Sequence, residues 1–351
     1  MPEEQLPRPE GLPERVLLAD VAAAAGVSLA SASRALSGSK GASARVVAAV
    51  QAAADRLGYR PDRIAQAMRS QSTGLIGIVV PGISNPFFAE VIEALEIALH
   101  DRQLEMVLAD SRSSVEEEAR RVETLVDRKV DGIVIFPADY RASMRALSFA
   151  QRLGPLVQID REVQGLAADY IGVDNVLGIR AVLEHVVEIG AQRVTFVSDQ
   201  GTSSTGRSRL IAYQNEVQRI SLLSPTPSIL GDFSLEFGRA AVRQLARRRR
   251  LPDAIVCGAD IIALGVIREL ANHGVRVPEQ VKVTGFDGIL FAELSDPPIT
   301  TVRQPVQAIA REAISLLWSR LQGDSSAPLH HEIAPSLELR RSSAVSVSSK
   351  H

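Results

Sequence analysis

The sequence predicts an α/β protein: an N-terminal all-α helix-turn-helix headpiece, then a two-lobed core of parallel, doubly wound sheets. Three observations lead there. The first stretch, up to about residue 70, carries short helical patterns and no strand pattern. From Thr73 onward, short and continuously apolar runs alternate with helical stretches, as expected of strands covered on both faces. Those runs outnumber the strands of one open sheet of modest size, so the core is expected to divide into two lobes.

Taken in order, residues 1–16 open with MPEEQLPRPEGLPE, rich in proline and glutamate, and are expected to be a disordered tail. Asp20 to Ala25 is alanine-rich with an acid in its first turn, which suits the positive end of a helix dipole. Gly26 stops that helix, because glycine accepts the left-handed conformation. Ser28 can cap a second helix, Leu29 to Leu36, closed by Ser37-Gly38. Two short helices around a tight glycine turn fit either an ordinary αα-hairpin or a helix-turn-helix whose second helix enters a DNA major groove. Ser43 can cap a third helix, Ala44 to Leu57. Its Val46, Val47, Val50, Ala53, Ala54 and Leu57 follow the i, i+3, i+4, i+7 rule. Gly58 ends it, and Pro61 blocks continuation. The headpiece is therefore placed at 17–61 and a linker at 62–72.

Charge supports a nucleic-acid partner only locally. The net charge of the 351-residue chain is −2. Between Leu12 and Gln71, however, Arg15, Arg34, Lys40, Arg45, Arg56, Arg60, Arg63 and Arg69 outnumber Glu14, Asp20, Asp55 and Asp62. A basic module on an acidic body can contact phosphates, with the salt sensitivity that brings. The single cysteine, Cys257, excludes an internal disulfide and fits a reducing compartment. No apolar run reaches the roughly 18 residues of a membrane span, and no secretion signal opens the sequence. The expected localisation is therefore cytoplasmic.

In the core, strands are expected at 75–80, 105–109, 132–136, 155–159, 169–173, 194–198, 254–258 and 281–286, with helices between them. Ligands of such sheets sit beyond the carboxyl ends of the strands, and a cleft between two lobes is the natural site. Those ends carry Ser84-Asn85-Pro86-Phe87-Phe88, Asp160-Arg161, Asp174-Asn175, a loop leading to Arg207 and Arg209, then Asp260 and Asp287. Forked donors and carboxylates converging there suit a polyhydroxylated or polar ligand. The serine-rich end, 341–351, is expected to fray.

Enzyme signatures are sparse. Gly201 to Ser208 nearly spells a phosphate-binding loop, but Arg207 replaces its lysine and no partner acid stands out. No nucleophile elbow, zinc-protease helix or dinucleotide fingerprint occurs, and the histidines have no metal-ligand spacing. No metal, cofactor or catalytic residue is expected. The Arg247–Arg250 run reads as a solvated helix end, His330-His331 as a surface pair, and Ala308 to Leu321 with Trp318 as a core- or subunit-facing helix.

The string DVAxxAGVSxxxxSRxLxG runs from Asp20-Val21-Ala22 through Ala25-Gly26-Val27-Ser28, Ser33-Arg34 and Leu36 to Gly38. It resembles the headpiece of the LacI/GalR family of bacterial transcription regulators. SNPFF, VQIDR, VDN, RSRLIAY, ALG, VTGFDG and PPITTVRQP are similar to successive signatures of that family, so the resemblance covers nearly the whole chain. It implies a homodimeric repressor on double-stranded operator DNA, controlled by a small-molecule effector held in a periplasmic-binding-protein-like core at 73–340. The first lobe would take about 73–174 plus 304–328, and the second about 175–303 plus 329–340. DNA contacts would come from Leu29, Ala30, Ser31, Ser33 and Arg34 on the recognition helix. LGYRPDRIAQAM resembles the family's hinge segment, which adds Arg63, Ala65 and Met68, with Met68 where a leucine wedge is usual. Effector contacts would be Phe87, Phe88, Arg161, Arg209 and Asp287. Two departures stand out: Ala259-Asp260 where Asn-Asp is common, and Leu17 where a threonine caps the first helix. A periplasmic-type binding protein without DNA binding, or a nucleotide-hydrolysing enzyme using the 201–208 loop, are the competing readings.

Overall fold

The computed structural model describes residues 16–36, 42–59, 72–248 and 250–344. The chain forms two compact units, 1–73 and 74–351. In the first, α1 (Leu18–Ala25), α2 (Leu29–Leu36) and α3 (Ala44–Leu57) enclose a small core of Val21, Ala22, Ala32, Ala35, Val50, Ala53 and Ala54. The small side chains let three short helices approach closely. Gly26 and Gly58 end α1 and α3 with φ of 64° and 65°, as the sequence required. Ser28 Oγ accepts the Ser31 N–H at 3.2 Å and Ser43 Oγ accepts the Val46 N–H at 3.4 Å. Leu17 cannot accept such a bond, but Asp20 reaches back to the Leu17 N–H at 2.8 Å and supplies half of a reciprocal cap. Arg63, Ala65 and Met68, with the whole hinge segment expected at 62–72 apart from its last residue, lie outside the described residues.

The second unit holds two sheets. Its elements run β1 (Leu75–Val80), α4 (Pro86–His100), β2 (Glu105–Asp110), α5 (Val115–Asp127), β3 (Gly132–Ile135), α6 (Met144–Gln151), β4 (Leu156–Ile159), β5 (Asp169–Val173), α7 (Asn175–Glu188), β6 (Arg193–Asp199), α8 (Ser204–Arg219), β7 (Ser224–Pro225), β8 (Ile229–Gly231), α9 (Leu235–Ala246), β9 (Ala254–Cys257), α10 (Asp260–Asn272), β10 (Lys282–Asp287), α11 (Leu290–Leu294), β11 (Thr300–Arg303), α12 (Val306–Leu321), β12 (His330–Ile333) and β13 (Ser336–Glu338). The first sheet has the order β12-β5-β4-β3-β1-β2, all pairs parallel. The second runs β13-β11-β10-β9-β6-β7, with β8 also on β6, and is parallel except where β13 meets β11. The central strands are buried along nearly their whole length because helices cover both faces.

Two boundaries differ from the sequence reading. The sequence places residues 329–340 in the second lobe, but β12 pairs with β5 in register His330↔Tyr170 and belongs to the first sheet; only β13 joins the second. The backbone thus crosses between lobes after β5, after β11 and after β12. Residues 341–344 are not frayed. Ser342 and Ser343 are fully buried, Ser342 Oγ donates to the Val283 carbonyl at 2.6 Å, and Ser343 Oγ meets His185 Nε2 at 2.8 Å. Serine hydroxyls that find partners at a strand end are a fastening, not a tail. Residues 345–351 lie outside the described residues. Short or polar strands (β7, β8, β11, β12, β13) and α6 escaped periodicity. Arg248 folds back on its own lobe, donating to Thr226 Oγ1 and the Pro227 carbonyl.

Helices α9 and α10 pack backbone against backbone. A Cβ on Gly265 would stand 2.0 Å from the Leu235 carbonyl oxygen, and one on Gly238 would stand 2.2 Å from that of Ile262. Backbone atoms on both sides leave nothing flexible to yield. Gly265→Ala is therefore expected to cost about 1–3 kcal/mol through overpacking, read as a lower denaturant midpoint. A midpoint equal to that of the parent would contradict the contact.

Candidate functional site

The carboxyl ends of six strands bring one polar cluster into the cleft between the two lobes. After β1, the Asn85 side chain accepts the Phe87 N–H at 3.1 Å and Pro86 opens α4, so Phe87 and Phe88 fall on its first turn. After β4, Asp160 takes a φ of 61°, and its carbonyl accepts the Tyr170 hydroxyl at 3.1 Å. Arg161 follows. After β6, the chain turns into α8, which carries Arg209. Phe233 follows β8. At the end of β10, Asp287 takes a φ of 112°, and Gln304 follows β11. Left-handed backbone at two aspartates in one site is local strain held by its surroundings.

Arg209, 2% exposed, is the most heavily engaged member. Its Nε donates to Asn175 Oδ1 at 2.7 Å, and Nη1 donates to the Gly258 carbonyl at 2.7 Å and to Asp287 Oδ1 at 3.3 Å. The guanidinium lies 3.6 Å from the Phe286 ring centre. Gln304 Nε2 donates to the same Asp287 oxygen at 2.9 Å. Burial pushes the Asp287 carboxyl up to about 6, with Arg209 opposing and Asp160 adding to the rise. The Asp160 carboxyl is also raised, mainly by burial and against the pull of Arg209 and Arg161.

Arg161 is built differently. Its guanidinium carbon lies 5.5 Å from the Phe88 ring of the first lobe and 5.7 Å from the Phe233 ring of the second. It approaches Asp160 only to 3.7 Å. Arg161 Nε, Asp160 Oδ1 and Gln304 Oε1 are buried with no hydrogen-bond partner among the described residues. Such atoms are costly unless a ligand or water completes them. Asn85, Phe87, Phe88, Asp160, Arg161, Thr205, Arg209, Phe233 and Asp287 together enclose a cavity of about 10 Å³, room for roughly one water. The lobes also bond across the cleft, from Tyr140 N–H to the Thr202 carbonyl at 2.8 Å and from Glu162 N–H to Ser204 Oγ at 2.9 Å.

All five effector candidates therefore line one pocket. The sequence reading missed Phe233, because β8 is too short to announce a strand end. Asp160, Asn85 and Thr205 line the same pocket without being among the effector candidates, although Asp160 and Asn85 stand at the strand ends read from the sequence. Asp260, read as another cleft residue, is not available. It is fully buried, and Oδ2 accepts the N–H groups of Gly288 and Ile289 at 2.8 and 2.9 Å while Oδ1 accepts the Thr301 hydroxyl at 2.6 Å. Its role is to hold the turn that follows Asp287. The phosphate-loop reading also fails. Asp199 accepts from the Ser203 N–H and hydroxyl and from Thr202, and its Oδ2 lies 2.1 Å from where a Gly206 Cβ would be. A carboxylate already fills the space where a phosphate would sit, and Arg207 lies over the Tyr140 ring instead.

In the headpiece, Leu29, Ala30 and Arg34 are exposed on α2, and Ser31 and Ser33 are half-buried. Ser31 Oγ meets Ser28 Oγ at 2.9 Å, so its hydroxyl is shared with the cap. Ala32 and Ala35 point to the core. The outward face thus begins apolar and carries its cation near the end of the helix.

Comparison with known proteins agrees with both units. Residues 17–62 match the description "Bacterial regulatory proteins, lacI family", and 183–343 match "Periplasmic binding protein-like domain". The HTH-type transcriptional regulator CelR of Thermobifida fusca is 30% identical over 340 residues, covering 93% of this chain and 98% of its own. A solved CelR–cellobiose complex, also 30% identical, superposes with a TM-score of 0.70 over 93% of this chain and 100% of that one. A Lac repressor bound to ONPG in the repressed state is 26% identical, with a TM-score of 0.84 over 94% and 100% of the two chains. No described helix is long and apolar enough to cross a membrane.

The buried Asp260 generates a pH prediction. Burial, with Asp287 adding to it, raises its carboxyl from 3.8 to about 8. The folded chain thus keeps a proton there that the unfolded chain has lost, and stability falls as pH rises through that window. Asp260→Asn removes the titration. The difference in unfolding midpoint, variant minus parent, is expected to grow between pH 5 and pH 8. Parallel pH profiles would show that Asp260 is ionised throughout.

Proposed function

The chain belongs to the LacI family of bacterial regulatory proteins, and on that premise we propose a cytoplasmic, homodimeric repressor whose grip on operator DNA is set by a neutral sugar or related polyol bound between the lobes. One observation carries the effector half of this reading: the cleft gathers two buried arginines and two buried aspartates whose charges cancel, with donor and acceptor atoms left unpartnered. A cancelled charge gives an ionic metabolite no net attraction. Hydroxyls, which donate and accept at once, fit the leftover atoms of Asp160, Arg161 and Gln304. Phe87 and Phe88 supply apolar faces, and Arg209 and Asp287 anchor the second lobe's side.

The DNA half rests on α2. Leu29 and Ala30 open the recognition helix and suit thymine methyls; Arg34 is its polar reader, and Ser31 and Ser33 reach bases or phosphates. Arg63, Ala65 and Met68 are assigned to the minor groove, with Met68 as a wedge. A second copy is supported by apolar side chains left in solvent on the core unit: Leu290, Phe291 and Leu294 on α11, and Ile97 and Leu108 in the first lobe. Two headpieces then read a near-palindromic operator on the nucleoid. Effector binding shifts the lobes, and the dimer with them, only so far as it favours one arrangement over the other. The periplasmic-type alternative leaves the basic headpiece without a purpose.

Arg34→Ala is expected to weaken operator binding by about 1–3 kcal/mol, roughly five- to 150-fold, and to leave effector affinity unaltered. Footprints unchanged at the same protein concentration would refute the assignment of α2. Asp287→Asn is expected to remove the response to effector while operator DNA is still bound. An effector-induced melting shift as large as that of the parent would count against it.

A further inference from the structure

The cleft has a second compartment. Beside the inner pocket lies a chamber of about 520 Å³ that shares Asn85, Phe88, Arg161 and Phe233 with it. That volume falls within the roughly 300–1,000 Å³ of pockets that take organic ligands. The inner pocket has room for about one water, whereas this chamber has far more in the same structure. Both lobes build it, with Ser84 and Asp139 on the first and Gln200 and Asp232 on the second.

Its chemistry is selective. Arg161 is the one cation among its lining residues, facing Asp139, Asp199 and Asp232, so anions are repelled. The two rings at its border, Phe88 and Phe233, already lie over the Arg161 guanidinium. The remaining walls mix serine and threonine hydroxyls and the amides of Asn85 and Gln200, partners for hydroxyl groups, with the apolar Pro81, Val115 and Ala138, which suit the C–H faces of a sugar ring.

We infer that this chamber is the subsite for a second sugar unit: the effector is a neutral glycoside of at least two units, one ring in the inner pocket and the next in the chamber, with Arg161 at their junction. The inference rests on reading the cleft as a sugar sensor and goes beyond it by fixing the effector's length. The first ring enters as the lobes part. The second meets a compartment that already has the volume to hold it.

The test uses the full chain and matched pairs in titration calorimetry: D-glucose against cellobiose, D-galactose against lactose, D-xylose against xylobiose, and D-ribose against adenosine. In at least one sugar pair the two-unit member is expected to bind tenfold or more tightly than its monosaccharide. Gln200→Trp and Ser84→Trp, exposed positions on opposite lobes, fill the chamber and are each expected to cut that ratio fivefold or more, while Gln200→Ala does not. Each variant's unfolding transition establishes that it folds, and either tryptophan suffices. Equal binding of monosaccharide and disaccharide, or a ratio that survives the tryptophan, overturns the inference and leaves the sugar reading standing, whereas a preference for adenosine overturns both. No binding by any member overturns the sugar reading itself, and this inference with it.

Discussion

A guanidinium buried to 2% exposure has to be paired from several directions, and Arg209 is paired from four: Asn175 at the start of α7, the Gly258 carbonyl after β9, Asp287 at the end of β10 and the Phe286 ring. A buried charge that lost one such partner would cost about 3–5 kcal/mol. The ends of two strands and two helices are therefore tied to a single side chain. Asp287 carries the tie onward to Gln304, where the backbone returns to the first lobe, and Asp260 fixes the turn behind it. The second lobe's half of the cleft is set before any ligand arrives.

The first lobe's half is not. Asp160 and Arg161 are as deeply buried, yet each keeps a polar atom without a partner, and Arg161 is steadied by rings from both lobes in place of hydrogen bonds. Half of the site is preorganised and half is left wanting, which is the combination that lets a ligand alter how the lobes meet. Closing the cleft on unsatisfied charges is unfavourable. A hydroxylated guest that satisfies them makes closure favourable and so shifts the population.

Much of this was legible in the sequence because the rules that reveal it are strong. Continuous apolar runs revealed the central strands, and the rule that ligands gather at strand ends pointed to the segments that carry the site; the family resemblance narrowed these to Phe87, Phe88, Arg161, Arg209 and Asp287, which do line one pocket. What stayed hidden was short or paradoxical. Ser224-Pro225 and Ile229–Gly231 are too brief to show a period, so Phe233 had no strand to follow. His330–Ile333 is exposed and polar, an edge strand whose sheet depends on a long-range pairing that no local pattern encodes. Asp260 looks like a ligand contact by position, and only its full burial and three accepted bonds reveal it as packing. Ser342 and Ser343 have the composition of a tail and the hydrogen bonds of a core.

The central claim is that one free energy links the cleft to the DNA grip. The direct measurement is effector affinity with and without a saturating operator duplex, at one fixed salt concentration, beside operator affinity with and without saturating effector. Linkage requires both ratios to be equal, and the account predicts a shared factor of about ten or more. An effector that occupies the cleft while the operator affinity stays the same would contradict it.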